Sequence, residues 1–210
     1  MDSKQEHLNN LSEIRSLMER SSSFLSLSGL SGITAGIIGL VTTYILYIKI
    51  GPFMDQSAYL RAMLSVEKRG ELIIYCLILF AIVLALTFAA TTFFTMRKAK
   101  KKGLSVWDSS AKRLVVNLFI PLVIGGLFCV MLTIQYYDYV ILPAMLLFYG
   151  LALINASKFT LNELKWLGLS ECLLGLLAMA FVPLSLWLWG VGFGIMNIIY
   201  GAVMYYKYER

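Results

Sequence analysis

Six apolar stretches dominate the chain and are separated by shorter segments that carry most of its charge. They run near residues 24–50, 71–95, 112–134, 138–157, 161–183 and 188–206. Each is close to or above the ~20 residues that an α-helix needs to cross about 30 Å of hydrocarbon. Backbone amides in lipid must find partners within their own segment, so each stretch is expected to be helical. The pattern predicts an all-α integral membrane bundle with six transmembrane helices.

The last of these boundaries depends on one short sequence. Residues 181–190, FVPLSLWLWG, are apolar throughout, and only Pro183 and the pair Trp187 and Trp189 indicate a turn. Tryptophan is enriched at membrane–water interfaces. We therefore expect the turn between the fifth and sixth spans, with both tryptophans, to lie at the membrane–water interface.

The first residues follow a different pattern. From Leu8 to Met18, apolar residues recur at helical spacing while charged residues occupy the other faces. This predicts a cytoplasmic amphipathic helix over residues 1–23, followed by one six-span domain over 24–210. Such a helix fits the bilayer surface, the bundle itself or a partner helix.

The composition supports a membrane environment. Apolar residues make up 59% of the 210 positions and charged residues 14%, whereas soluble domains average about 45–50% and about 25%. A soluble fold could not hide this much apolar surface. The net charge of +6 comes without basic and aromatic residues interleaved on a folded surface, so no nucleic-acid partner is expected.

The basic residues are unevenly distributed between the two sides of the predicted bundle. Residues 96–113 alone hold seven of the eighteen Lys and Arg residues, and the side that includes this stretch and both termini holds fourteen. Cationic loops are retained in the cytoplasm, which predicts that both termini are cytoplasmic. The predicted basic loop would face anionic lipid or an acidic protein partner through Arg97, Lys98, Lys100, Lys101, Lys102, Lys112 and Arg113.

Small residues recur at four-residue spacing in the first apolar stretch. Ser28, Gly32 and Gly36 follow this spacing, and Gly190 and Gly194 form a similar face in the sixth stretch. Small residues at this spacing let two helix backbones approach closely. The partner helix is either in the same chain or in a second copy, which leaves a homo-oligomer open.

A few polar residues interrupt the apolar stretches. Glu171 lies about 9 Å in from the inner edge at 1.5 Å per residue, and an ionised carboxylate there costs several kcal/mol unless it is paired, protonated or hydrated. We expect it to point into the bundle and to hydrogen-bond Asn197, Tyr149 or Tyr200. The group is either a polar clamp between the fifth and sixth spans or a solvated site for a cation, proton or small polar solute. The other polar candidates, toward the inner ends of the third and fourth spans, are Asn117 and Asn155.

Sequence signatures of enzyme chemistry are absent. The single histidine, His7, precedes the first apolar stretch, and the chain has no HExxH, GxSxG or phosphate-binding Gly-rich loop. The three cysteines lie inside apolar stretches without metal-ligand spacing. No catalytic residue, metal or cofactor is therefore expected, and a non-enzymatic protein is favoured.

Four segments carry a resemblance. SSSFLSLSGLSGITAGI, KAKKKGLSVWDSSAKRL, LLFYGLALINASKFT and GFGIMNIIYGAVMYYKYE resemble an uncharacterised family of small six-span inner-membrane proteins from Bacteroides-like bacteria. The resemblance covers most of the chain and implies the same six-span plan. It implies no activity, ligand or catalytic residue.

Two functional hypotheses follow. In the first, the protein is a membrane component that acts through contacts of its helices or loops, as a sensor or regulatory partner on the cytoplasmic side. In the second, it is a small carrier or channel in which Glu171 and Asn197 line a path. A hydrated cavity reaching Glu171 favours the second hypothesis, and a closely packed centre favours the first.

Overall fold

The computed structural model of the chain describes residues 28–54, 66–101 and 109–208, and all regular structure in these ranges is helical. The predicted amphipathic helix over 1–23 lies outside the described residues. The α-helices are α1 Gly29–Met54, α2 Val66–Lys101, α3 Ser109–Ile134, α4 Ile141–Ala156, α5 Glu163–Ala180, α6 Ser185–Gly190 and α7 Asn197–Tyr208.

Shorter helical turns connect these elements. Turns of 3-10 helix occupy Asp138–Val140, Ser157–Phe159 and Val182–Leu184. A π-helical turn, Val191–Met196, joins α6 directly to α7. The segment from residue 182 to residue 208 is therefore one composite helix that changes its hydrogen-bonding pattern near the middle.

Each predicted apolar stretch corresponds to one helical segment, but the boundaries differ. The largest difference is in α2, which spans 36 residues where the sequence predicts a helix over 71–95. The difference arises because charged residues at both ends of α2 end the apolar stretch but do not end the helix. The predicted basic loop over 96–113 is correspondingly shorter, since only residues 102–108 separate α2 from α3 and these lie outside the described residues.

Five helical segments are long and apolar enough, by length and composition, to cross a membrane: Gly29–Lys49, Arg69–Lys100, Ser110–Ile134, Asp138–Phe159 and Val182–Tyr208. Helix α5 does not belong to this set. It is 18 residues long and contains Glu163, Lys165 and Glu171. Three charged residues in so short a helix lower its apolar character, although a helical segment is present where the sequence predicts the fifth span.

The helices do not all pack on their neighbours in the chain. Helix α4 packs extensively on α5 and on α3, while α1 packs along α7 and the π-helical turn. Helix α2 packs mainly on α1 and lies at the periphery. One cluster of buried apolar residues joins α3, α4, α5 and α7, and a second joins α4, α5 and α6.

The two tryptophans near the turn between α5 and α6 have different environments. Trp187 is 54% exposed and its ring lies 5.1 Å from that of Tyr47, whereas Trp189 is 2% exposed. Trp187 therefore lies on an exposed face of α6 and Trp189 on a buried face, and the position of this turn at the membrane–water interface stays a prediction. The two residues are two positions apart on a helix, so they point to different faces.

Candidate functional site

Glu171 lies at the centre of the described bundle. It is on α5, its exposed fraction is 0%, and it is among the largest fully buried side chains. Neither carboxylate oxygen has a hydrogen-bond partner among the residues that the structure describes. An ionised carboxylate without a partner is costly in such a position, which makes this group the most unusual in the fold.

The carboxylate lies directly against Gly192 in the π-helical turn. A Cβ atom on Gly192 would overlap Glu171 Oε2 and would lie 3.2 Å from its Cδ and 2.6 Å from Leu146 Cδ2. Only glycine leaves the space that the carboxylate occupies. π-Helical turns are rare and occur frequently at functional sites, and here the turn brings a backbone without a side chain up to the buried acid.

Asn197 and Tyr149 form the polar contact nearest to this turn. The Tyr149 hydroxyl donates to Asn197 Oδ1 at 3.0 Å, and Asn197 Nδ2 donates to the Gly192 carbonyl oxygen at 3.1 Å. Asn197 Nδ2 also lies 3.4 Å from the carbonyl oxygen of Phe193. These hydrogen bonds therefore connect α4 to the first residue of α7 and connect that residue to the π-helical turn.

The hydrogen bond predicted between Glu171 and Asn197, Tyr149 or Tyr200 is not present. Asn197 uses its amide on the backbone of its own helix and its oxygen on Tyr149. The Tyr200 hydroxyl is buried without a hydrogen-bond partner among the described residues, in the apolar cluster that contains Met204. The structure brings these residues into one region but leaves the carboxylate unpaired.

A row of aromatic rings leads from this contact across the bundle. The ring of Tyr149 stacks on Phe193 at 4.6 Å, Phe193 lies 4.7 Å from Trp189, and Trp189 lies 6.0 Å from Phe80. Sequence reasoning did not assign Phe193 and Trp189 to the site. Their spacing of four residues is the only signal that could have placed them on one face.

Asn117 and Asn155 form a separate polar pair. Asn155 Nδ2 donates to the Asn117 backbone oxygen at 2.9 Å and to its Oδ1 at 3.1 Å. Asn117 Nδ2 donates to the Arg113 carbonyl oxygen at 2.8 Å, and Lys158 Nζ lies 3.5 Å from Asn155 Oδ1. Among the described contacts this pair joins α3 to α4 and shares no hydrogen bond with Glu171 or Asn197.

The two small-residue faces meet each other within the chain. A Cβ on Gly32 would lie 2.9 Å from Gly201 Cα, and one on Gly36 would lie 2.6 Å from the Gly194 carbonyl oxygen. A Cβ on Gly190 would lie 2.7 Å from the side chain of Thr43. Ser28, at the entrance to this contact, is buried. A second copy could not use this face without displacing the π-helical turn and α7.

A second glycine contact, between α4 and α5, was not identified from the sequence. A Cβ on Gly150 would lie 2.6 Å from the Gly168 carbonyl oxygen, and one on Gly175 would lie 3.1 Å from that of Pro143. The spacing of seven between Gly168 and Gly175, two helical turns, could have indicated this face. This contact holds α5 close enough to α4 to keep Glu171 covered.

The predicted basic loop is largely helical at both ends. Lys98 is 6% exposed, so it belongs to the packed part of the molecule and not to a free cationic surface. The side chain of Lys101 and all of Lys102 lie outside the described residues. Within residues 96–113, the basic residues that the structure describes as exposed are Arg97, Lys100, Lys112 and Arg113.

Polar contacts outside the centre fall at the two ends of the bundle. At one end, Glu163 Oε1 accepts from Lys207 Nζ at 2.5 Å and from the Tyr208 hydroxyl at 2.9 Å. At the other, Arg69 donates to both carboxylate oxygens of Asp138 at 2.9 and 3.0 Å. These contacts tie the first turn of α5 to the end of α7, and the start of α2 to the turn before α4.

The described residues offer little for ligand chemistry elsewhere. No group of three or more His, Cys, Asp or Glu residues that could hold a metal ion occurs within 28–54, 66–101 and 109–208. An apolar groove of about 240 Å³ lies between α1 and the composite helix, lined by residues that include Tyr47, Trp187 and Ile195. Neither Glu171 nor Asn197 lines this groove.

No protein-family model matches the chain, and no curated protein or solved structure matches it either. The resemblance stated from the sequence therefore stays an expectation.

Proposed function

We propose that the chain is a six-span protein of the bacterial inner membrane with both termini in the cytoplasm. The relation between apolarity and burial carries this proposal. Of the five long apolar segments, Arg69–Lys100 is the most apolar and has 0% of its most apolar window buried, whereas Asp138–Phe159 is less apolar and has 44% buried. In water the most apolar helix would be the most buried. The reverse order fits a molecule surrounded by hydrocarbon.

Helix α5 completes the six spans in this proposal. Its charged residues do not argue against a span, because Glu163 is paired with Lys207 at one end and Glu171 is covered by neighbouring helices. Intramembrane acids face the bundle interior in membrane proteins. The central position of α5 between α4 and the composite helix supplies that cover.

The two ends of α2 provide a direct test of this arrangement. Glu71 and Lys100 are both exposed, and at 1.5 Å per residue they are about 44 Å apart along the helix. We expect a membrane-impermeant thiol reagent added to intact spheroplasts to label Glu71→Cys, and Lys100→Cys only after the membrane is opened. The native chain provides the background from its own cysteines. Labelling of both variants from the same side would contradict the six-span arrangement.

We further propose that the protein acts without an enzymatic reaction, as a sensor or regulatory component with the bilayer and a cytoplasmic protein as its partners. The close packing at Gly192, where a Cβ would overlap Glu171 and Leu146, and between Gly150 and Gly168 supports this over a path for a solute. The exposed basic residues at the proposed cytoplasmic ends of α2 and α3 offer the surface for an acidic protein.

A site-specific crosslink tests the interaction role. A photo-reactive residue at Lys100 is expected to form a crosslinked protein adduct in living cells, whereas the same residue at Leu84, on the exposed middle of α2, is expected to contact only lipid. Two differently tagged forms of the chain distinguish a second copy from another protein. Lipid adducts alone at Lys100 would contradict a protein partner on this surface.

A small carrier or channel for a cation, proton or small polar solute is the second candidate. The Glu171 carboxylate, which has no hydrogen-bond partner among the described residues and lies against Gly192, favours this function. Proteoliposomes with an imposed ion gradient test it: a carrier loses flux in Glu171→Gln and keeps it in Asn117→Ala. Equal leak rates in wild-type and protein-free vesicles would exclude the function.

A further inference from the structure

We propose that Glu171 is a proton-binding site and that loss of its proton rearranges the π-helical turn Val191–Met196. This inference rests on the six-span arrangement proposed above, and it concerns what the buried acid binds. The observation that carries it is a fully buried carboxylate without a hydrogen-bond partner, placed against the one π-helical turn of the described chain.

The space around the carboxylate selects the ligand. Glu171 Oε2 occupies the place of a Cβ on Gly192, and Leu146 closes the same space from α4. Metal cations require several oxygen ligands at defined distances, but the described structure places Leu146 and the backbone of Gly192 against the carboxylate, and the Asn197 amide donates to the Gly192 carbonyl oxygen. A proton needs no coordination shell, so of the candidate ligands it is the one that these close contacts accommodate without further oxygen ligands.

The electrostatic surroundings provide no substitute for the proton. The titratable side chains near Glu171 are Tyr149 on α4 and Cys172 on α5, and Tyr200 on α7 lies near Tyr149; phenol and thiol groups are neutral or negative and supply no positive charge. Residues 182–196 of the composite helix contain no titratable side chain. The cations of α5 and α7, Lys165 and Lys207, are exposed. None of these described neighbours is a buried cation that could neutralise a carboxylate.

The hydrogen bonds of Asn197 indicate how proton loss would be transmitted. Its amide holds the turn through the carbonyl oxygens of Gly192 and Phe193. When Glu171 releases its proton to the solvent, the carboxylate needs donors. We expect the Asn197 amide to turn toward it, which removes both bonds to the turn. The stacked rings of Tyr149 and Phe193, 4.6 Å apart, would then separate.

Hydrogen exchange in lipid nanodiscs tests this coupling. The amides of Val191–Met196 are followed across a pH series in the wild type and in Glu171→Gln, which keeps the shape of the protonated acid. The ratio of the two rates removes the intrinsic pH dependence of exchange. The ratio is the exchange rate in the wild type divided by that in Glu171→Gln. If local opening of the turn releases one proton from Glu171, we expect this ratio to rise about tenfold for each pH unit.

Glu163→Gln provides the matched control. Glu163 lies on the same helix as Glu171, but at the end of that helix, where it is bonded to Lys207 and Tyr208. The exchange rate of Val191–Met196 in the wild type, divided by that in Glu163→Gln, should therefore not change with pH. A flat ratio for Glu171→Gln as well would overturn the proposal.

Infrared spectroscopy of the wild-type protein keeps the proposal testable if Glu171→Gln does not fold. At neutral pH we expect a C=O band of a protonated carboxyl group that shifts when glutamate is labelled with ¹³C and that persists in Glu163→Gln. A wild-type spectrum without this band would also overturn it. If this infrared band is present but the thiol reagent labels Glu71→Cys and Lys100→Cys from the same side, only the six-span arrangement would be contradicted and the protonated Glu171 would stand.

Discussion

Helices α2 and α5 have opposite compositions and opposite positions. Helix α2 contains the most apolar segment, and its most apolar window has no buried residue. Helix α5 carries three charged residues in its 18 positions, yet it buries Leu164, Gly168, Glu171 and other residues against three neighbours. Apolar character thus identifies the helix that faces outward, and small or polar residues identify the helix that faces inward. That order is expected when the solvent of the helices is lipid, because packing depends on close approach and not on apolarity.

A charge on the outer face of α2 would break this comparison most strongly. Leu84 is 70% exposed and lies near the middle of the helix. In hydrocarbon, Leu84→Lys is expected to reduce insertion of α2 by about 2.5–3.5 kcal/mol. The fraction of glycosylated acceptor sites in a membrane-insertion assay measures this loss. Met96→Lys, at the basic end of the same helix, should cost far less, and equal costs would mean that water surrounds α2.

A methyl group distinguishes inward from outward glycines. In Gly201→Ala the new Cβ would meet two backbone atoms of α1, the Gly29 carbonyl oxygen at 2.6 Å and the Gly32 carbonyl carbon at 2.8 Å. We expect a loss of about 1–3 kcal/mol, the usual cost of overpacking, measured by unfolding in detergent. Gly126→Ala, where a Cβ meets nothing within 4 Å, should be neutral or gain up to about 1 kcal/mol from helix propensity. Effects of the same sign at both positions would contradict the glycine contact.

The ion pair that attaches the start of α2 should contribute less free energy than the glycine contact. Arg69 donates two bonds to Asp138, and its guanidinium lies 4.1 Å from the centre of the Tyr136 ring. The side chains are 22% and 35% exposed, so screening by solvent limits the coupling to about 1 kcal/mol. A double-mutant cycle with Arg69→Gln and Asp138→Asn measures it. A coupling of zero would contradict a stabilising role for this ion pair in the attachment of α2.

The smallest expected effect is in the centre. Tyr149→Phe removes one hydrogen bond to Asn197, and such bonds between membrane helices average about 0.6 kcal/mol. The free energy of unfolding in detergent is the measurement, and Tyr44→Phe, at a residue 66% exposed, is the control. A loss several times larger would show that the hydroxyl also restrains the π-helical turn.

Part of this arrangement is visible in the sequence and part is not. The glycine spacing around Gly32 and Gly36 predicts a close helix contact, but it does not reveal that Gly194 and Gly201 lie opposite. The polarity of Glu171 predicts an inward orientation, which the structure has. Its expected hydrogen bond to Asn197 is absent, and the Asn197 amide donates to Gly192 in the π-helical turn instead. No local pattern predicted that turn.

The helices themselves follow from the sequence alone, because an apolar run of about 20 residues satisfies its backbone only as a helix in lipid, whatever its neighbours do. The choice of neighbours is a property of the tertiary structure. Contact between Gly201 and Gly32, or between Gly192 and Glu171, depends on the relative rotation and depth of two helices distant in the chain. Such close contacts form only where a glycine of one helix lies opposite the right residue of the other, and the sequence of a single helix does not specify that alignment.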